Sequence, residues 1–135
     1  MKKAVCLVAG WAGIFLMALP VFAHHSFAAE FDADKPVTLK GTVTRVEWSN
    51  PHAWIFIDVK GPGGKVVNWA VETGGPNALY RRGWKKDSLR IGDEITIAGW
   101  LAKNGSPTAN ARDVVLPDGR KLGAASSGDS ASGQR

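Results

Sequence analysis

Hydrophobic and polar positions alternate through the middle of the chain in short runs, a pattern that predicts β-strands. From Val37 to Trp48, Val37, Leu39 and Val43 share one parity with Gly41 between them, whereas Val46 and Trp48 take the other. A parity change inside a strand implies a bulge, and a glycine in mid-strand permits sharp coiling, so one long bent strand is expected. Asn50-Pro51 then supplies a turn, since proline fixes its own φ and restricts the residue before it. In a second strand, Ala53 to Lys60, the set Ala53, Ile55, Ile57 and Val59 alternates with Trp54, Phe56, Asp58 and Lys60. One face reads as core; the other begins aromatic and ends charged.

Gly61-Pro62-Gly63-Gly64 is a hairpin signal, followed by a third strand, Val66 to Thr73, with Val67, Trp69 and Val71 on one face. Pro76 suits a first helical position, a helix is expected over Asn77 to Arg82, and Gly83 can end it. Trp84 and Leu89 read as docking residues. Ile91-Gly92-Asp93 turns into a fourth strand, Glu94 to Ala102, with Ile95, Ile97 and Leu101 inward and Gly99 allowing a bend. Asn104-Gly105-Ser106-Pro107 leads to a fifth, Ala109 to Leu116, stopped by Pro117-Asp118-Gly119. A mainly β protein follows, a small five-stranded OB-fold-like barrel with one short helix between strands three and four. A small β-sandwich is the alternative.

The ends carry a different pattern. Met1-Lys2-Lys3, an apolar run from Ala4 to Leu19, and small residues at Val21 and Ala23 describe a signal peptide over 1–23. Export to the periplasm or medium is therefore expected, with a retained membrane anchor as the rival. Residues 24–36 form an arm in which Phe27 and Phe31, four apart, share one face if helical. The barrel domain is expected over 37–122. The rest, 123–135, is small and polar and reads as a disordered tail.

With 135 residues, the chain supports one domain. Its 17 basic and 12 acidic residues give a net charge of +5, and loss of Lys2 and Lys3 with the leader leaves 15 against 12, or +3. Arg81, Arg82, Lys85, Lys86 and Arg90 supply much of the excess. Such a cluster is either a solvated face or a weak patch for phospholipid head groups or an acidic partner. The single cysteine, Cys6, lies in the leader, which excludes disulfide and thiolate chemistry from the processed chain.

Candidate chemistry begins with the three histidines. Cleavage after Ala23 makes His24 the first residue, with a free α-amine beside its imidazole, and His25 or His52 can complete a three-nitrogen set. Nitrogen-rich, near-planar sites suit Cu(II). The amine, with an ordinary pKa of about 7.7 to 8.0, can give up its proton near neutral pH. Against this, paired histidines on an arm bind copper adventitiously, and a turn histidine such as His52 commonly bonds to backbone. Glu30, Asp32 and Glu47 are further oxygen donors.

A second reading uses the aromatic surface. Trp48, Trp54 and Phe56 are candidates for the ligand face that OB-folds form on strands two and three, and a protein, peptide or sugar partner fits such a face. Stacking aromatics also suit nucleic acid, but export argues against that ligand. No nucleophile elbow, phosphate loop, zinc motif or triad spacing occurs, so an enzyme is not the expectation.

The segments His24-His25-Ser26-Phe27, Gly41-Thr42-Val43, Glu47-Trp48-Ser49-Asn50-Pro51-His52 and Gly92-Asp93 with Gly99 nearby together resemble the domain of unknown function 6152 family. The resemblance runs from Ala23 to Leu122 and implies a small exported bacterial protein. It implies no activity and no catalytic residues.

Overall fold

The computed structural model describes residues 27–125. In chain order they form α1 (Phe27–Glu30), β1 (Phe31–Glu47), β2 (Trp54–Lys60), a 3-10 turn (Pro62–Gly64), β3 (Val66–Glu72), α2 (Pro76–Arg81), β4 (Glu94–Ala102), β5 (Thr108–Val115) and β6 (Lys121–Gly123). Strand β1 pairs antiparallel with β2 on one side and β4 on the other, β2 pairs with β3, and β4 with β5. Three parallel pairs between Ala70–Glu72 and Thr108–Asn110 then join β3 to β5 and close the ring. The barrel and its helix between β3 and β4 match the OB-fold-like expectation.

Parity explains the first strand. Val43 faces Ile57 and Arg45 faces Phe56, so Thr44 is the extra residue of a bulge. That bulge returns Val46 to the inside after Leu39, Gly41 and Val43. The strand begins earlier than expected, at Phe31, which pairs with Ala102 across an irregularity that spans 32–35. The hydrophobic core takes Leu39 and Val43 from β1, Ile55 and Ile57 from β2, Val71 from β3, Ile95 and Ile97 from β4, and Val114 from β5. Leu79, Trp84 and Leu89, from α2 and the segment after it, join the same cluster. Leu101, expected inward, is only half-buried.

A sixth strand was not legible in the pattern. Lys121–Gly123 pairs with Asp113–Val115, along the β5 edge that β3 leaves open. Trp84 donates its indole N–H to Gly123 O at 2.8 Å, and Gly74 N–H donates to Ala124 O at 2.8 Å. Gly123, Ala124 and Ala125, expected in the tail, thus pack on the barrel, and both alanines are buried. No helix among the described residues is long and apolar enough to cross a membrane.

Candidate functional site

The turn between β1 and β2 carries His52, and the end of β3 holds it in place. Thr73 N–H donates to Ala53 O at 2.9 Å, and Ala53 N–H to Gly74 O at 3.2 Å. The buried Thr73 hydroxyl lies 3.1 Å from Ala53 O and 2.9 Å from Gly74 O. Within the turn the Asn50–Pro51 bond is cis, and Ser49 Oγ donates to His52 O at 2.9 Å. This clamp sets the imidazole, which is half-buried, with Nδ1 3.1 Å from Thr73 O. A carbonyl oxygen only accepts, so the neutral ring carries its proton on Nδ1 and keeps a lone pair on Nε2.

Behind the ring stands Glu72, whose Oε1 lies 3.5 Å from His52 Nδ1. Glu72 faces out from the barrel by parity yet is 8% exposed. Its register partners are Trp54 on β2 and Asn110 on β5. Asn110 Nδ2 approaches Glu72 Oε1 at 3.4 Å, while its Oδ1 is buried with no hydrogen-bond partner among the described residues. Glu72 thus shares one polar cluster with Asn110, which donates to it, and with His52, whose Nδ1–H is directed at Thr73 O.

The arm is pinned to the barrel through its aromatic side chains. Phe27 stacks on Phe31 at 5.7 Å and meets Trp100 edge-on at 5.2 Å. Lys103 fastens the same segment, its backbone N–H reaching Glu30 O and its Nζ reaching Ala28 O. Between the arm, Trp54 and the β4–β5 turn runs a groove of about 320 Å³. Trp54 lies on its wall.

The three aromatic candidates do not share one surface. Trp48 packs against the core, stacked on Tyr80 at 5.7 Å and edge-on to Trp84 at 6.4 Å. It is one residue past Glu47, the partner of Trp54, and so points to the opposite face. Phe56 shares the face of Trp54, but the Arg45 guanidinium sits 3.8 Å from its ring centroid and caps it. Only Trp54 borders the groove.

Of the histidines, His24 and His25 lie outside the described residues, and only His52 has a defined setting. Among the described residues no group of three or more His, Cys, Asp or Glu side chains comes together as a metal site. Glu47 pairs with Arg45 at 2.6 Å and Asp32 with Lys35 at 3.7 Å, which ties both to surface cations. The basic cluster flanks the buried Trp84 and Leu89. Arg90 shares a shallow hollow there with Asp87, Asp93 and Asp118, so its charge is locally offset. Sequence reasoning missed Glu72, Thr73 and Asn110, because their meeting with His52 depends on strand register.

A model of DUF6152, a family of unknown function, matches residues 13–111. The match starts within the expected leader and takes in His24, His25, the His52 turn, Glu72 and Asn110, stopping ahead of β6. No curated protein matches the chain.

Proposed function

This chain belongs to the DUF6152 family of unknown function, and we propose that it is an exported module that binds a divalent cation, Cu(II) by preference. In this reading the ion lies between His52 Nε2 and the nitrogens of His24 and His25 at the start of the processed chain. The observation that carries it is the 3.1 Å contact from His52 Nδ1 to Thr73 O, which leaves Nε2 as the nitrogen able to ligate. Metal-binding histidines are ordinarily held in this way, by a carbonyl or carboxylate at the other ring nitrogen.

Reach supports the pairing. Phe27 rests on Trp100, and in register Trp100 pairs with Asn110 and Asn110 with Glu72. Two strand spacings separate Trp100 from Glu72, about 10 Å. Three residues lead from Phe27 back to His24, and an extended chain spans roughly 3.3 to 3.6 Å per residue. Fully extended, the three residues span roughly 10 Å, comparable to that separation. An amine with two imidazoles is a donor set that favours Cu(II) over harder cations.

The test is mass spectrometry of the secreted chain's N-terminus, then copper titration of that form and of His52→Ala. Processing to His24 is expected, with binding weakened at least ~10-fold in the variant. A start other than His24, or unchanged binding by His52→Ala, rejects the shared site.

One observation favours a second reading. The groove beside Trp54 joins the strand 1–2 end of the barrel to the β4–β5 turn, and OB-folds use those loops to hold oligosaccharides and other ligands. A metal-free module of this kind would bind a sugar or peptide against Trp54. An oligosaccharide that quenches tryptophan emission in the wild type but not in Trp54→Ala supports it.

A further inference from the structure

We infer that the groove beside Trp54 is a site for a neutral saccharide, with Trp54 as the stacking ring and the Asn104 amide as a group that reads the sugar hydroxyls. The inference rests on the reading of the chain as a module that binds against Trp54, and it narrows the ligand to one class.

Three segments of the described chain build the groove. Trp54, at the start of β2, alternates with the buried Ile55 and so projects outward, and the β4–β5 turn supplies Asn104, Ser106 and Thr108. The arm completes the groove with Glu30 and Phe31, held there by Phe27 on Trp100 and by Lys103 Nζ on Ala28 O. At about 320 Å³ the space lies near the lower end of ligand pockets, roughly 300 to 1,000 Å³. It suits a mono- or disaccharide unit.

Hydrogen bonding decides the ligand class. Asn104 Oδ1 accepts from the Ser106 N–H at 3.0 Å and from Ser106 Oγ at 2.7 Å. A backbone N–H only donates, so the amide is fixed with its oxygen toward the turn and its Nδ2 donors directed elsewhere. Thr108 Oγ1 lies 3.0 Å from Ser106 Oγ, so three side chains form one run of amide and hydroxyl groups along the groove. The backbone there is already engaged: Lys103 N–H reaches Glu30 O, Ala70 N–H reaches Pro107 O and Thr108 N–H reaches Ser106 O. An extended peptide takes its affinity from main-chain bonds at a free strand edge, which these groups no longer offer. A sugar instead needs amide and hydroxyl partners at its rim and an aromatic surface against its C–H face, and both are present.

Charge points the same way. Glu30 and Lys103 line the groove with one charge of each sign, and the Lys103 ammonium already serves Ala28 O. Glu72, in register with Trp54, adds a negative charge. Among the described residues, the groove thus offers an anionic sugar or a phosphate no cation beyond one already engaged.

The test uses the processed full chain, with neutral cellotriose and tri-N-acetylchitotriose, anionic trigalacturonate, and trialanine as probes. A neutral sugar is expected to shift the Trp54 indole N–H in nitrogen NMR, a signal identified by its loss in Trp54→Phe. It should bind at least ~10-fold more tightly than trigalacturonate or trialanine. Trp54→Ala should lower the affinity at least ~10-fold. Asn104→Ala should lower it about 3- to 10-fold, and Asn104→Asp, which keeps the oxygen that holds the turn, should lower it as well.

If trialanine or trigalacturonate moves the Trp54 signal and binds as tightly as the neutral sugars, the groove binds but the ligand class is wrong. A neutral sugar that binds with the Trp54 signal unmoved also overturns the inference. Full affinity in Asn104→Asp removes the amide from the site, and a loss confined to Asn104→Ala then belongs to the turn. If no probe shifts Trp54, the reading of the chain as a module that binds against Trp54 falls with it.

Discussion

A Cβ placed on Gly99 would stand 1.9 Å from the carbonyl oxygen of Asn110. Strands β4 and β5 approach that closely beside a bulge, where Ala98 faces Asp113 and Gly99 faces Ala111, leaving Arg112 as the extra residue. The contact is with backbone, which cannot swing aside as a side chain can. Gly99 therefore sets the position of Asn110, and through it that of Glu72.

Gly99→Ala should cost about 3 kcal/mol or more, at or beyond the upper end of the usual penalty for overpacking. For a domain of this size that lowers the thermal midpoint by at least ~10 °C, read by circular dichroism. A midpoint within a degree or two of the wild type would mean that β4 and β5 separate easily at this bulge.

Gly75 plays the corresponding part at the histidine turn. A Cβ there would lie 2.6 Å from Pro51 O and 3.2 Å from Asn50 Oδ1. Gly75→Ala should displace the turn one residue ahead of His52 and lengthen the contact between Nδ1 and Thr73 O. The expected result is a stability loss of roughly 1 to 3 kcal/mol together with loss of the single His52 tautomer in nitrogen NMR. Retention of that tautomer would show that the β3 clamp alone holds the ring.

Much of this architecture could be read from local pattern. The Thr44 bulge was visible because it moves Val46 and everything after it to the other parity. The limits Glu94 and Ala102 agree with the observed β4, whose turn signals at Gly92-Asp93 and Asn104-Gly105 are strong. Strand β6 was hidden, since Lys121-Leu122-Gly123 is short and merges into a polar tail; it becomes a strand only because β5 offers an open edge.

Trp48 was misplaced for a related reason. It keeps the parity of Val46 and so faces the core side, but its partners there, Tyr80 and Trp84, lie more than thirty positions later and no local spacing names them. The unit of His52, Glu72 and Asn110 joins three separate segments, and no spacing rule connects them. Only the parallel pairing of β3 with β5 brings Glu72 beside Asn110.

Surface charge gives a pH prediction away from the site. Lys40 and Glu94, diagonal neighbours across β1 and β4, form an exposed ion pair at 2.6 Å. The hydrogen bond from Lys40, and then its charge, hold the Glu94 carboxyl below the usual glutamate value, while the same contacts raise the Lys40 ammonium. Asp118 is also lowered, first by the backbone N–H of Arg120 and then by its side chain. A lowered carboxyl contributes stability that is present above its unfolded value and is lost as pH falls through its folded value. The raised lysine contributes fully below its unfolded value and loses its share as pH rises through the folded one. The pair is thus in full effect at neutral pH and fades at both extremes. Because both partners are exposed, salt should screen it. Denaturant melts of Glu94→Gln should therefore show a smaller loss of stability between neutral pH and about pH 3 than the wild type, with the difference shrinking at about 1 M salt. An unchanged acid response in Glu94→Gln would assign that limb to other carboxylates, Asp118 first among them.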